Sequence, residues 1–181
     1  MLTLLIPIGG PGAGKTTLSH NLMSLDLGLP RLDKVFTTCR DELFAQCKKD
    51  HVDWSQRKIR RFLFDKFVEF RENVTSWRQE NPNDSIVVYL DSSNAQRGGR
   101  KYLIDEFQPD RVVLLNIRHS METLLERVGG RQGHPTFPQD KEEQSKIISK
   151  ILGGLEFAGE EDLILGNAKK TMEIEIVELG D

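Results

Sequence analysis

Between an apolar run, Leu2–Ile8, and a segment of helical spacing lies Gly9-Gly-Pro-Gly-Ala-Gly-Lys-Thr16, which fits G-x-x-x-x-G-K-[ST] in full. No other feature of the chain restricts its fold as tightly. A polyphosphate has to be wrapped by backbone N–H groups, and only small residues let the backbone come that close. Gly12 and Gly14 permit positive φ. A helix starting near Gly14 aims its first amides at the anion. Lys15 brings charge to the β and γ phosphates, Thr16 offers a hydroxyl to Mg2+, and Thr17 reaches the α phosphate. Gly9, Gly12, Ala13, Gly14, Lys15, Thr16 and Thr17 are therefore the expected nucleotide-binding residues.

The rest of the chain alternates strand and helix signals. Leu2–Ile8, Ile86–Leu90 and Val112–Ile117 are continuous apolar runs, the pattern of strands covered on both faces. Val35–Cys39 is a further strand candidate, and Met172–Leu179 alternates like a late or edge strand, as Leu163–Leu165 also suggests. Helices are expected from Gly14 to Leu25, where Gly28 and Pro30 follow, and over Asp41–Lys48, Arg100–Phe107, Ser120–Val128 and Lys141–Leu152. Ile59, Phe62, Leu63, Phe67, Phe70, Val74 and Trp77 space out one long amphipathic helix, Gln56–Gln79. This order predicts an α/β P-loop kinase fold: a mostly parallel sheet, helices on both faces, and a lid. With 181 residues, one domain spanning 1–181 is expected.

Composition excludes some classes. A net charge of -3 argues against a broadly basic nucleic-acid coat, though not against a local basic groove. Arg57-Lys-Ile-Arg-Arg61 is one basic cluster, and Arg97, Arg100 and Lys101 form a second; either suits acceptor phosphates. Trp54 and Trp77 suit packing better than base stacking. No apolar run approaches the roughly 20 residues that span a bilayer, so no membrane partner is expected. Cys39 and Cys47 fit neither a metal knuckle nor a disulfide framework, which points to a reducing compartment, cytoplasm or nucleus.

The chemistry is read from what surrounds the triphosphate site. There is no N-K-x-D motif for a G protein, and no strand ending in an acidic pair. Gly129-Gly-Arg-Gln-Gly-His134 suits a lid, around 127–138, with Arg127 and Arg131 placed to stabilise a transferring phosphoryl group. A hydroxyl acceptor needs a carboxylate for its proton. Asp41 stands just past the second strand, where ligands of such sheets bind. Asp33 is its rival, and Asp91 ends the third strand.

Four blocks in order resemble the phage-type 5′-hydroxyl polynucleotide kinases and the kinase domain of fungal-type tRNA ligases. They are the opening strand and P-loop, Leu4–Thr17; Phe36-Thr-Thr-Cys-Arg-Asp-Glu-Leu43; Asp91-Ser-Ser-Asn-Ala-Gln-Arg-Gly-Gly-Arg-Lys101; and Arg127-Val-Gly-Gly-Arg-Gln-Gly-His-Pro-Thr136. The resemblance implies an RNA 5′-kinase that prepares ends for ligation, with ATP or GTP as donor, Mg2+ as cofactor, an RNA 5′-OH end as acceptor, and a ligase or end-healing partner. It implies Lys15, Asp41 (as base), Arg127 and Arg131 as catalytic groups. Arg40, Asp91, Asn94, Arg97 and His134 would lie near the acceptor, and Thr16 and Asp91 near the metal, Asp91 through water. Three departures matter. Phe44 stands where the phage-type segment has an arginine for the acceptor phosphate, so that Arg40, Arg57, Arg60 or Arg61 would have to substitute. Ser93 replaces the first asparagine of D-x-N-N, and Pro135 stands where the lid usually has glutamine. A small-molecule or nucleoside kinase, and a nucleotide-gated binding module without turnover, are the competing readings.

Overall fold

A computed structural model describes residues 1–22, 32–92, 94–130, 138, 140–164 and 172–180. Strands β1 (Leu2–Ile8), β2 (Lys34–Cys39), β3 (Ile86–Asp91), β4 (Arg111–Arg118) and β5 (Glu173–Gly180) form one sheet in the order β2-β3-β1-β4-β5. Every pairing is parallel. The three central strands are almost wholly buried, which is why they read as unbroken apolar runs rather than alternating ones. The two outer strands are only partly covered and keep polar residues, as edges do.

Helices α1 (Lys15–His20), α2 (Arg40–Asp50), α3 (Gln56–Glu80), α4 (Arg97–Phe107), α5 (Met121–Gly129) and α6 (Lys141–Gly153) complete the fold. One sheet face buries Leu4, Ile6, Val88 and Leu114 against Phe67, Phe70, Val74 and Trp77 of α3 and Ile104 and Phe107 of α4. The other face buries Leu5, Val87, Tyr89 and Val113 against Leu18 and Leu22. A third cluster, Ala13, Ile117, Leu124, Val128 and Ile148, presses α5 and α6 against the glycine loop. Among the described residues no helix is long and apolar enough to cross a membrane.

The direction of α3 fixes what lies at each edge of the sheet. Near its C-terminus, Trp77 packs on Phe36 with the Lys34 ammonium over its ring, and Arg78 pairs with Asp110 at 3.0 Å. Lys34 opens β2 and Asp110 precedes β4, so this end sits at the N-terminal edge. The start of α3 therefore lies at the C-terminal edge, where open α/β sheets bind ligands.

Two expectations need correction. Leu163 and Ile164 form no strand; they follow a single 3-10 turn, Glu160–Asp162. Helix α4 starts at Arg97 rather than Arg100, so Gly98 and Gly99 are helical. The reason lies far along the chain. Arg100 is fully buried, and its guanidinium forms a two-pronged pair with Asp162 (2.9 and 3.0 Å) while also donating to the carbonyls of Asn94 and Glu156. The Arg97 amide donates to Glu156 and its side chain pairs with Glu161. These contacts clamp residues 156–162 onto the first turn of α4.

Removing one partner of a buried pair strands the other charge, which costs about 3–5 kcal/mol. Asp162→Ala should lower unfolding stability by that amount in urea titrations. A double variant, Arg100→Met with Asp162→Leu, should recover much of it.

Candidate functional site

The glycine loop closes off β1. Gly12 and Gly14 have φ of 79° and 93°, in the left-handed region where a side chain is strained. A Cβ on Gly9 would stand 3.0 Å from Ile117 O, and one on Gly12 would stand 3.0 Å from Val128 Cγ2 and 3.1 Å from Leu124 O. Lys15 curls back over the loop, its Nζ donating to the carbonyls of Gly9 (3.0 Å) and Gly10 (2.8 Å). An ammonium held at those carbonyls stands where it can turn to the phosphates of a nucleotide in the loop. Tyr89, fully buried on β3, donates its hydroxyl to the Lys15 carbonyl at 2.7 Å and so pins α1 to the sheet.

An open groove of about 500 Å³ lies beside this loop, lined by Gly12, Gly14, Thr17, Leu18, Asn21 and Arg127. The structure therefore brings Arg127, Thr17 and the loop together. Arg127 Nη1 lies 2.7 Å from His119 Nε2, a contact that holds the guanidinium at the groove. His119 follows no motif, and nothing in the sequence singled it out. Of the stretch 127–138 expected as a lid, Arg127, Val128 and Gly129 are the last turn of α5, and Arg131 and His134 lie outside the described residues.

A second, deeper cleft of about 360 Å³ opens at the C-terminal ends of β2 and β3, between α2, α3 and α4. Leu43, Leu63, Phe64, Phe67, Leu90 and Leu103 give it apolar walls, with Tyr102 on the α4 side. Arg40, Arg60, Asp91 and Asn94 supply its polar groups. Asp91 is buried and its Oδ2 has no hydrogen-bond partner, which is costly unless a ligand or ion completes it. Of the arginines proposed to replace the one absent at Phe44, Arg40 and Arg60 line the cleft, whereas Arg57 and Arg61 do not.

The two candidate bases separate cleanly. Asp33 lies at the N-terminal edge, its amide donating to Ser85 O (2.8 Å) and its Oδ2 accepting from the Ser85 amide (2.9 Å). A six-residue strand, roughly 20 Å, divides it from the cleft. Asp41 stands at the C-terminal edge, exposed on the first turn of α2 beside Arg40, but outside the cleft lining. It does not cap the helix, since Cys39 holds that position.

Other residues serve the frame. Asn94, at φ 45°, donates its amide to the carbonyls of Pro7 (2.8 Å), Leu90 (3.0 Å) and Ser92 (3.1 Å), locking the ends of β1 and β3 together. It lines the cleft, yet its amide nitrogen is taken up by backbone. Of the second basic cluster, Arg100 is committed to the frame by its buried pair with Asp162, whereas Arg97 and Lys101 make exposed pairs with Glu161 and Asp105. Trp54 stacks on His51 at 3.7 Å and meets Phe62 edge-on, and Trp77 packs on Phe36; both tryptophans are packing residues.

No protein-family model matches the chain, and no curated protein matches it. Solved structures do. A protein of Chloroflexus aurantiacus J-10-fl with a provisional assignment as a kinase is 19% identical, covering 97% of this chain and 87% of its own, at TM-score 0.53. Kti12 of Chaetomium thermophilum, solved with ADP-AlF3, is 16% identical, covering 98% and 89%, at TM-score 0.52. A sugar kinase from Janibacter sp. HTCC2649 is 14% identical, covering 98% and 84%, but its TM-score of 0.48 carries no weight. The likeness is one of fold: the chain has the P-loop kinase fold.

Two tests follow from this geometry. Gly12→Ala forces an alanine into positive φ against a backbone oxygen, and should cost about 2 kcal/mol in urea unfolding and abolish triphosphate binding by calorimetry. The second concerns Cys39. Burial is the largest influence on its thiol; the Glu42 and Asp41 amides oppose it, the Asp91 charge adds to it, and the thiol is pushed up to about 11 from 9.0. Burial raises the Tyr89 hydroxyl too. A raised pKa contributes stability that is complete below about 9 and lost as pH climbs to about 11. Unfolding stability should fall over that window, and less steeply in Cys39→Ala.

Proposed function

We propose that the chain transfers the γ-phosphate of ATP or GTP to the 5′-hydroxyl end of RNA. The observation that carries this reading is the cleft at the ends of β2 and β3, where Arg40, Arg60 and Asp91 converge on apolar and aromatic walls. Aromatic and leucine walls suit a terminal base and ribose, and guanidinium groups suit the phosphate that follows them in a strand.

The sheet order supports a division of roles between the carboxylates. Thr16 follows β1, Asp91 ends the neighbouring β3, and Asp41 follows β2, one strand further out. Strands lie roughly 4.8 Å apart, so Asp91 is on the metal side and Asp41 on the acceptor side. Thr16 and Asp91, the latter through water, would hold Mg2+; this suits an ion that keeps several waters and takes few protein ligands. The unpartnered Asp91 Oδ2 fits that role. The ion, when bound, neutralises charge on the transferring phosphate. Lys15 and the loop amides hold the donor, Arg127 stabilises charge from the groove side, Asp41 takes the hydroxyl proton, and Arg131 and His134 act from the lid. In this reading the protein works in the cytoplasm or nucleus beside a ligase or end-healing partner.

A small-molecule or nucleoside kinase is the second reading, favoured by the mainly apolar cleft walls. Matched RNA and DNA 5′-OH oligonucleotides, each with γ-labelled ATP and GTP, separate the two. Label should pass to RNA. Lys15→Ala should lower kcat by about 10²–10³-fold and Asp41→Asn by about 10²–10⁴-fold, while Asp91→Asn should raise the Mg2+ concentration required. Transfer to sugars or nucleosides with none to oligonucleotides would overturn the proposal.

A further inference from the structure

Helix α3 is longer than the sheet it covers. Its 25 residues span about 37 Å, whereas the six-residue β3 spans about 20 Å. Phe67, Phe70, Val74 and Trp77 pack its later turns into the core. Its first turns pack on α2 and the connection between them: Ile59 is buried and Phe62 meets Trp54. Those turns lie at the C-terminal edge, beside the cleft.

The outward stripe of these turns is Arg57, Arg60, Arg61 and Phe64, spaced i, i+3, i+4, i+7 and therefore on one side of the helix. All four are exposed, and Phe64, at 50%, is among the most exposed large apolar side chains described. Arg60 and Phe64 also line the cleft, so the stripe and the cleft are one continuous surface. The Arg61 guanidinium lies 5.9 Å from the Phe64 ring centre.

Charge placement says what this surface meets. Among the described residues six arginines away from this stripe pair with carboxylates: Arg71 with Glu106, Arg78 with Asp110, Arg97 with Glu161, Arg100 with Asp162, Arg111 with Glu175 and Arg118 with Glu178. Arg40, Arg57 and Arg60 have no such partner among the described residues. Arg61 pairs only with Asp65, one turn on, in an exposed contact that a phosphate can replace. Apart from Arg127 at the glycine-loop groove, the described arginines without a carboxylate partner lie on this stripe and at the cleft it joins, with the half-exposed Phe64 ring among them.

We propose that this stripe is a track for single-stranded RNA, on which the nucleotides after the phosphorylated end leave the cleft. Arg57, Arg60 and Arg61 take successive backbone phosphates and Phe64 stacks on a base, a pairing that reads no sequence. The track deepens the polynucleotide reading and rests on it. It makes the preferred acceptor a strand of several nucleotides rather than a mononucleotide.

The test has a kinetic and a binding arm. In the first, the wild-type KM for 5′-OH RNA should fall from a dinucleotide to an octamer, and Arg57→Glu with Arg61→Glu should remove most of that gain. In the second, a fluorescein-labelled octamer is titrated by anisotropy at several salt concentrations. The double variant should bind at least tenfold more weakly, and its salt slope should drop by about 0.7 for each phosphate no longer neutralised. Phe64→Ala should weaken binding about tenfold. Lys146→Glu, a charge change on α6, should match wild type, and thermal melts check that each variant folds. A wild-type KM that does not change with length, or a double variant that binds like Lys146→Glu, would overturn the track while leaving the kinase reading intact. If no oligonucleotide accepts label, the kinase reading falls. The anisotropy arm then decides the track alone: salt-dependent binding that disappears in the double variant sustains it, and no binding removes it.

Discussion

At Gly9, Gly10 and Gly12 the glycine loop leaves no room for a side chain. Gly9 faces the Ile117 carbonyl, Gly10 the Leu152 side chain and Gly12 the Leu124 carbonyl, each at about 3.0 Å from where a Cβ would stand. Gly14 is different: nothing lies within 4 Å, and its φ of 93° is what requires glycine. The loop is a backbone surface wedged between β1, the end of β4 and the α5–α6 pair. Its amides can close on an anion only because Leu124, Val128 and Ile148 press from outside and Tyr89 holds α1 from the sheet side. Arg127 follows from the same packing, since the helix that supplies Leu124 and Val128 also places that guanidinium beside the loop.

How legible a residue was depended on how local its reasons were. The central strands were readable because burial on both faces leaves an unbroken apolar run, and α3 because its period is long and regular. Met172–Leu179 showed its alternation, as a half-covered edge strand must. The partners of Arg97 and Arg100 lie about 60 residues away, in Glu161 and Asp162, where no local pattern shows them. Those same contacts hold Gly98 and Gly99 in the first turn of α4. Asp33 and Asp41 are near neighbours in sequence, yet the length of β2 puts them at opposite edges of the sheet. His119 had no signal at all, because its part comes only from where the turn after β4 meets α5.

In the proposed reading, the donor and acceptor sides of the site are built on different principles. On the donor side the contacts are mostly backbone, and their positions follow from the motif. On the acceptor side they are side chains from three helices, and no short pattern records their meeting. Phe44 illustrates the difference. In one dimension it is a missing arginine; in the fold, Arg60 reaches the cleft from a helix that starts twelve residues later. A charge that recognises substrate can move to another element as long as it still reaches the same space.

The long helix shows how one element can hold two roles. Its later turns carry Phe67, Phe70, Val74 and Trp77 and belong to the core, so they cannot change without cost to the fold. Its first turns extend past the sheet and answer only to α2 on one side and solvent on the other. Arg57, Arg60, Arg61 and Phe64 could be chosen there for what they bind. An exposed phenylalanine among arginines offers little to folding, because its ring is half in water. A net charge of -3 and a basic track are therefore compatible. Carboxylates elsewhere neutralise the arginines of the frame, and apart from Arg127 at the glycine loop, the described arginines without a carboxylate partner lie at the cleft and on the outward face of these first turns.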